Sequence, residues 1–247
     1  MGQLERGDVV VENVHDRDAI EFHRVESQLS EKSPEKLEQW EIVSELVPSS
    51  GFLLDVGCYN GSFSRYVHGI QYIGVDVNRQ AISEAKERKI DVMLASCNFL
   101  PFRSGLFDAC SLIEVIEHLF FPGKAVEEAH RILKPDGKLI LTAPNLVNFI
   151  DRVNMLMGKN IVPGLEQSQH IRFFTWKSLN HFLRRNGFEL EGRKTWYLQF
   201  PLKRITDKYP LWRKAMRLPA KLFPNLDKAL CGRWRKTQPR KQSCAAH

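Results

Sequence analysis

The sequence predicts an α/β fold, a doubly wound and mostly parallel sheet with helices on both faces. Three observations predict it. Strand-like and helix-like patterns alternate from residue 52 to residue 143, and repeated βαβ order implies parallel strands joined by crossover helices. Residues 53–63, Leu-Leu-Asp-Val-Gly-Cys-Tyr-Asn-Gly-Ser-Phe, run an apolar strand into a glycine turn. A second short strand, Tyr72-Ile73-Gly74-Val75-Asp76, then ends in an aspartate 21 positions after Asp55.

Taken in order, residues 1–50 read as a charged, helical N-terminal cap. Over Glu35–Val47, Leu37, Trp40, Val43, Leu46 and Val47 share one helical face, with Ser33 as cap and Pro34 at the first helical position. Pro48-Ser49-Ser50-Gly51 ends that helix. Strand 52–56 leads to helix 62–68, strand 71–75 to helix 79–88, and a short strand covers 90–94. Strand 107–113 leads to helix 122–133. Lys134-Pro135-Asp136-Gly137 reads as a turn before the apolar strand Lys138–Ala143. Residues 144–170 show no clear period. Thr175 caps a helix carrying Leu179, Phe182 and Leu183, Gly187 stops it, and Phe188-Glu189-Leu190 restarts a strand. The domain organisation read from this is a cap (1–50), a core (51–192), a basic and aromatic appendage (193–235) and a disordered tail (236–247). Only Lys228–Trp234 offers a last strand, and a poor one.

A strand, a glycine turn and a helix start form a nucleotide pocket at the carboxyl ends of a parallel sheet. Glycines let backbone approach a ligand, and the helix start offers unpaired N–H groups. The turn is Gly57-x-x-x-Gly61, not the three-glycine fingerprint that wraps a pyrophosphate. An adenosine ligand without a diphosphate is therefore expected, with Asp76 on its ribose hydroxyls. A purely structural strand–helix junction is the competing reading.

The chain has 247 residues, 43% of them hydrophobic, enough for a substantial core. Its apolar runs fall short of the ~20 residues that span a bilayer, and the acidic N-terminus carries no apolar signal segment. Five scattered cysteines without ligand spacing predict reduced thiols in a cytoplasmic protein and no metal site. The net charge of +7 is uneven. From Arg193 onward, fifteen Lys and Arg face only Asp207 and Asp227, so the preceding body is acidic. Three readings of the basic tail compete: a solvated face, a peripheral contact with anionic membrane, and nucleic-acid binding. Nucleic acid ranks last, because no RNA-binding module is evident.

The chain resembles the class I S-adenosylmethionine-dependent methyltransferases, closest to the type-11/12 group that acts on small molecules. The resemblance spans Gly51 to Leu190. It rests on Leu53–Gly61, on Gly74-Val75-Asp76-Val77-Asn78, and on Leu100-Pro101-Phe102 with Phe107-Asp108. Glu114-Val115-Ile116-Glu117-His118-Leu119, Arg131–Gly137, Ala143-Pro144-Asn145, His170-x-Arg172-Phe173-Phe174-Thr175 and Asn186-Gly187-Phe188 continue it in order. It departs at Tyr59, where the family usually has glycine, and at Ser96, near which the family often has an acidic residue.

The resemblance implies a single domain with a seven-stranded sheet and S-adenosyl-L-methionine as cofactor. Asp55, Gly57, Cys58 and Gly61 would meet the methionyl end. Asp76 would hold the ribose. Val77 and Asn78 would edge the adenine, with Ser96, Cys97 and Asn98 on its other side. Glu114 would lie where cofactor and acceptor meet, or else cap the next helix. The acceptor expected is a small or lipid-linked molecule methylated at oxygen. The alternatives are an RNA methyltransferase and a non-catalytic cofactor-binding module. A hydroxyl acceptor needs a base near neutral pH. His118 is the first candidate and His170 the second, against the plainer readings that each only anchors its segment.

Overall fold

The computed structural model describes residues 34–145, 147–158, 170–196 and 222–238, with positions 211 and 215. The Ser33 cap, most of the 196–223 stretch and the tail beyond 238 lie outside the described residues. The helices are α1 (Pro34–Ser44), α2 (Arg79–Glu87), α3 (Pro122–Ile132), α4 (Phe149–Leu156) and α5 (Trp176–Arg185). The strands are β1 (Phe52–Val56), β2 (Gln71–Asp76), β3 (Val92–Leu94), β4 (Phe107–Ile113), β5 (Leu133–Pro144), β6 (Phe188–Lys194) and β7 (Ala229–Lys236). They form one seven-stranded sheet in the order β3-β2-β1-β4-β5-β7-β6. β7 runs antiparallel to both neighbours, and the pairs from β3 to β5 are parallel. The strand order reverses between β1 and β4, and ligands in such sheets bind beyond the strand carboxyl ends at that switch.

Alternation along the strands divides the core. Leu54, Val56, Cys110, Leu112, Leu139 and Leu141 pack on one face with Val126 and Ile132 of α3 and Leu179 and Leu183 of α5. Leu53, Ala109 and Ile140 point the other way, onto Trp40, Val43 and Leu46 from the N-terminal segment. Side chains that alternate between two covered faces explain the near-continuous apolar runs. Among the described residues, no helix is long and apolar enough to cross a membrane.

Several expectations are corrected. The helix read over 62–68 is a 3₁₀ turn, Ser62–Tyr66. The turn read at 134–137 is absorbed into β5, which slips register against β4 between Phe107 and Ala109 and carries Asp136 at φ +60°. The aperiodic 144–170 stretch contains α4, started by Asn148, whose side chain accepts from the Asp151 N–H. Phe149, Ile150, Val153 and Leu156 recur along α4 at helical spacing, yet the helix buries none of its residues. On α1, Leu37 is exposed while Gln39 is buried. Thr175 does cap α5, through a reciprocal capping box with Ser178.

The poor last strand is a full one. β7 pairs with β5 from Lys138↔Arg235 to Pro144↔Ala229, and with β6 on its other edge. The sheet therefore runs past residue 192 and takes its penultimate strand from the basic segment. Ion pairs from Arg233 to Glu191 (2.9 Å) and from Arg235 to Glu189 (3.5 Å) accommodate its charges.

Candidate active site

The glycine turn closes at the end of β1. The N–H groups of Gly57 and Cys58 both donate to the Val75 carbonyl, at 2.8 and 3.1 Å. Gly57 has φ +74°, and a Cβ there would stand 2.5 Å from Val115 Cγ2, so no other residue fits without displacing its neighbour. Tyr59 also has positive φ, +51°. That conformation costs a non-glycine residue about 1–2 kcal/mol. It is held by the Tyr59 N–H, which donates to Asp76 Oδ2 at 2.7 Å. The departure from the family pattern thus sits on a backbone conformation that suits glycine.

Asp76, at the carboxyl end of β2, accepts on its other oxygen from the Asn78 N–H at 2.8 Å. The two backbone bonds fix the carboxylate's direction. Asn78 caps α2, its Oδ1 accepting from the N–H groups of Gln80 and Ala81. Its Nδ2 is buried with no hydrogen-bond partner among the described residues, which calls for an acceptor from elsewhere. Val77 is exposed beside it. Ser96, Cys97 and Asn98 form a half-buried turn just past β3, with the Asn98 N–H donating to Ser96 Oγ at 3.3 Å.

Asp55 is buried and faces protein. It accepts from Tyr72 Oη at 2.7 Å and from Ser111 Oγ at 2.6 Å. Burial, opposed by these two bonds, pushes its carboxyl up to about 6. A carboxyl whose folded value exceeds its unfolded one of 3.8 loses stability as pH rises between the two. The loss is about 3 kcal/mol, complete above pH 6. Asp55→Asn is accordingly expected to be more stable than the natural protein at pH 7. The difference should shrink as pH falls from 6 to 4, in urea unfolding followed at each pH. A constant difference would show that Asp55 does not titrate in this range.

Glu114 ends β4 at φ +55°, a strained backbone of the kind that clusters at functional sites. Its Oε1 accepts from Thr142 Oγ1 at 2.7 Å and from Gln39 Nε2 at 3.0 Å. Gln39 therefore brings α1 onto the strand ends. Helical periodicity missed it because a buried glutamine on an apolar face reads as an error until its partner is seen.

Glu117 is wholly buried in the 3₁₀ turn Ile116–His118. Burial first, then the neighbouring charge of Glu114, pushes its carboxyl well above the usual range. His118 Nε2 stands 3.7 Å from Glu117 Oε1, and the His118 and His170 rings are 4.8 Å apart between centroids. The fold thus brings together the two histidines read as base candidates, 52 residues apart in the chain. The Ile171 and Arg172 N–H groups donate to the Glu117 carbonyl at 3.0 and 2.9 Å and fix that approach. The expectation of no metal site rested on cysteine spacing. It did not anticipate this grouping, in which one donor atom from each of Glu117, His118 and His170 lies within 4.8 Å of the others.

A methyltransferase-domain family model matches residues 26–192, well over half of the chain. The chain belongs to that family. It is a class I S-adenosylmethionine-dependent methyltransferase, and its sheet is the Rossmann-like sheet of that class. One solved structure similar to this methyltransferase is an S-adenosylmethionine-dependent methyltransferase of Thermotoga maritima, described as a possible histamine N-methyltransferase. The two share 21% identity at a TM-score of 0.65, over 90% of this chain and 99% of that one. An uncharacterized protein of Methanocaldococcus jannaschii is 26% identical over 168 residues, 61% of this chain and 66% of that one. A tRNA (carboxymethyluridine(34)-5-O)-methyltransferase of Arabidopsis thaliana is 33% identical over 101 residues, 40% of this chain and 25% of that protein. The methyltransferase thus spans less than two thirds of these curated relatives' length. The residues present fit the cofactor S-adenosyl-L-methionine. Asp76 ends β2 beside the glycine turn, and the Asn78 Nδ2, buried without a hydrogen-bond partner among the described residues, calls for an acceptor of the kind an adenine ring nitrogen supplies.

Proposed function

We propose that this methyltransferase methylates a hydroxyl of a small-molecule or lipid-linked acceptor presented at the His118–His170 pair. The observation that supports the reading is the set of exposed apolar residues that flank the two histidines in the chain. Phe120 and Phe121 follow His118 and are 66% and 64% exposed; Ile171 and Phe173 follow His170 and are 41% and 42% exposed. Exposed aromatic and aliphatic side chains, where they gather, mark a ligand or membrane surface. A weakly polar acceptor would cover them and exclude water from the reacting hydroxyl.

The cofactor supplies an already activated methyl group when bound. What this chain must add is alignment, which contributes about 7–11 kcal/mol to such steps, and a place for the hydroxyl proton. His118, one-tenth exposed beside buried Glu117, is the first candidate base and His170 the second. Gly57, Cys58, Gly61, Asp76, Val77, Asn78, Ser96, Cys97, Asn98 and Glu114 are the proposed cofactor contacts, and Asp55, buried with both oxygens accepting from Tyr72 and Ser111, would act on the cofactor only through its charge. His118→Ala is expected to lower turnover about 100-fold and leave S-adenosylhomocysteine affinity within twofold, by single-turnover kinetics and calorimetry. Equal losses in both would sink the base assignment.

A cytoplasmic protein with a peripheral membrane contact suits this reading. Leu222 and Phe223, within the basic segment and ahead of β7, are exposed. A second reading, an RNA acceptor, draws on the plant relative's name and on Lys177, His181, Arg184 and Arg185, which line a groove along α5. Sedimentation with anionic vesicles, set against a salt-graded RNA shift, separates the two.

A further inference from the structure

Two other buried carboxylates of this chain are well served. Asp55 accepts from two hydroxyls, and Asp227 accepts from the N–H groups of Trp196 and Lys228. Glu117 differs. Its side chain is 1% exposed, neither oxygen accepts from a nitrogen or hydroxyl donor among the described residues, and the group beside it is another carboxyl, that of Glu114. Evolving chains rarely retain a carboxylate in that state, because burying one without a partner is heavily unfavourable. Glu114 places a second carboxylate beside it, with the Lys36 charge acting in the opposite sense.

The surroundings are those of a cation site. Oε1 of Glu117 and Nε2 of His118 are 3.7 Å apart, too far for a hydrogen bond. Ligands on one ion at bonds of about 2.1 Å stand roughly 3–4 Å apart. The full set of three donors spans at most 4.8 Å, so a small turn of a side chain closes it. The third ligand is positioned by the fold, since the residues after His170 are tied to the Glu117 carbonyl.

We propose that Glu117, His118 and His170 bind one divalent transition-metal cation at the acceptor side of the site. Two imidazoles and one carboxylate favour Zn²⁺, Mn²⁺ or Co²⁺ over the oxygen-seeking Mg²⁺ and Ca²⁺. Three protein ligands leave a coordination position open. Its role, though not the binding, rests on the oxygen-acceptor reading above. A hydroxyl entering the open position is acidified as metal-bound water is and gives its proton to solvent. With the metal bound, His118 and His170 serve as ligands, and the base role proposed above for them applies only to the metal-free protein.

The test uses the full, untagged chain, stripped of metal by a chelator. Zn²⁺ and Mn²⁺ are titrated calorimetrically, and Co²⁺ is followed by its visible absorption. One equivalent is expected to bind, with Co²⁺ bands of a nitrogen–oxygen site. Affinity should fall at least 100-fold in Glu117→Gln and at least tenfold in His170→Ala. Each variant is checked by circular dichroism and by S-adenosylhomocysteine titration, which reads the cofactor pocket and not this cluster. His170→Ala lies at a half-exposed position and carries the test if Glu117→Gln does not fold. No metal bound by the natural protein, or binding unchanged in a folded variant, overturns the metal site; intact S-adenosylhomocysteine binding would then leave the methyltransferase reading standing. Metal bound as expected, without S-adenosylhomocysteine binding, would keep the metal site and remove the role proposed for it.

Discussion

Asp76→Ala is expected to weaken S-adenosylmethionine and S-adenosylhomocysteine binding by 100-fold or more in calorimetric titration. Two effects add. The first is direct, because a ribose diol donating to a carboxylate makes charge-assisted hydrogen bonds, each contributing about 1.5–3 kcal/mol. The second acts through the turn. Asp76 holds the N–H groups of Tyr59 and Asn78, at 2.7 and 2.8 Å. Tyr59 keeps its positive φ in part through that bond. Without the carboxylate, the turn loses a reason to stay left-handed at a tyrosine. Asp76→Asn retains one acceptor oxygen and should lose less. The fold should survive both changes, since Asp76 sits at a strand end and not in the apolar core. Failure of the folded natural protein to bind either ligand would favour the non-catalytic module, with Tyr59 narrowing the methionine side of the pocket.

Trp234→Ala is expected to destabilise the protein by about 3–5 kcal/mol and lower its melting temperature by about 10 °C, in thermal unfolding followed by circular dichroism. Trp234 is wholly buried in β7. Its ring packs 6.2 Å from that of Trp176 on α5, and its Nε1 donates to Asn180 Oδ1 at 3.2 Å. Gly232 makes room, as a Cβ there would lie 2.6 Å from the ring. The residue therefore joins the last strand to α5 and secures the strand that fills the gap between β5 and β6. A loss below 1 kcal/mol would mean that β7 is dispensable to the sheet.

Part of this protein was legible in order of residues alone. The strands β1 and β4 match the expected spans, Pro34 opens α1, Thr175 caps α5 and Gly187 stops it at φ +81°. These features depend on local chemistry: alternation of apolar side chains, a hydroxyl that caps N–H groups, a residue without Cβ where φ is positive. The positions of the glycine turn and of Asp76 at the end of β2 were legible for the same reason, since such a turn is a short stretch with a spacing of its own.

What depended on distant contacts was not legible. The segment at 62–66 carries helical spacing but forms only a 3₁₀ turn. β7 reads as a poor strand, yet two strand edges and partners such as Glu191 and Glu189 make it a full one. Gln39 looks misplaced until Glu114, 75 residues away, accepts from it. His118 and His170 read as two separate candidates, and the carbonyl of Glu117 brings them together. The distinction is physical. Backbone conformation and capping are settled within a few residues, whereas burial and the pairing of charges depend on which segments meet once the chain has folded.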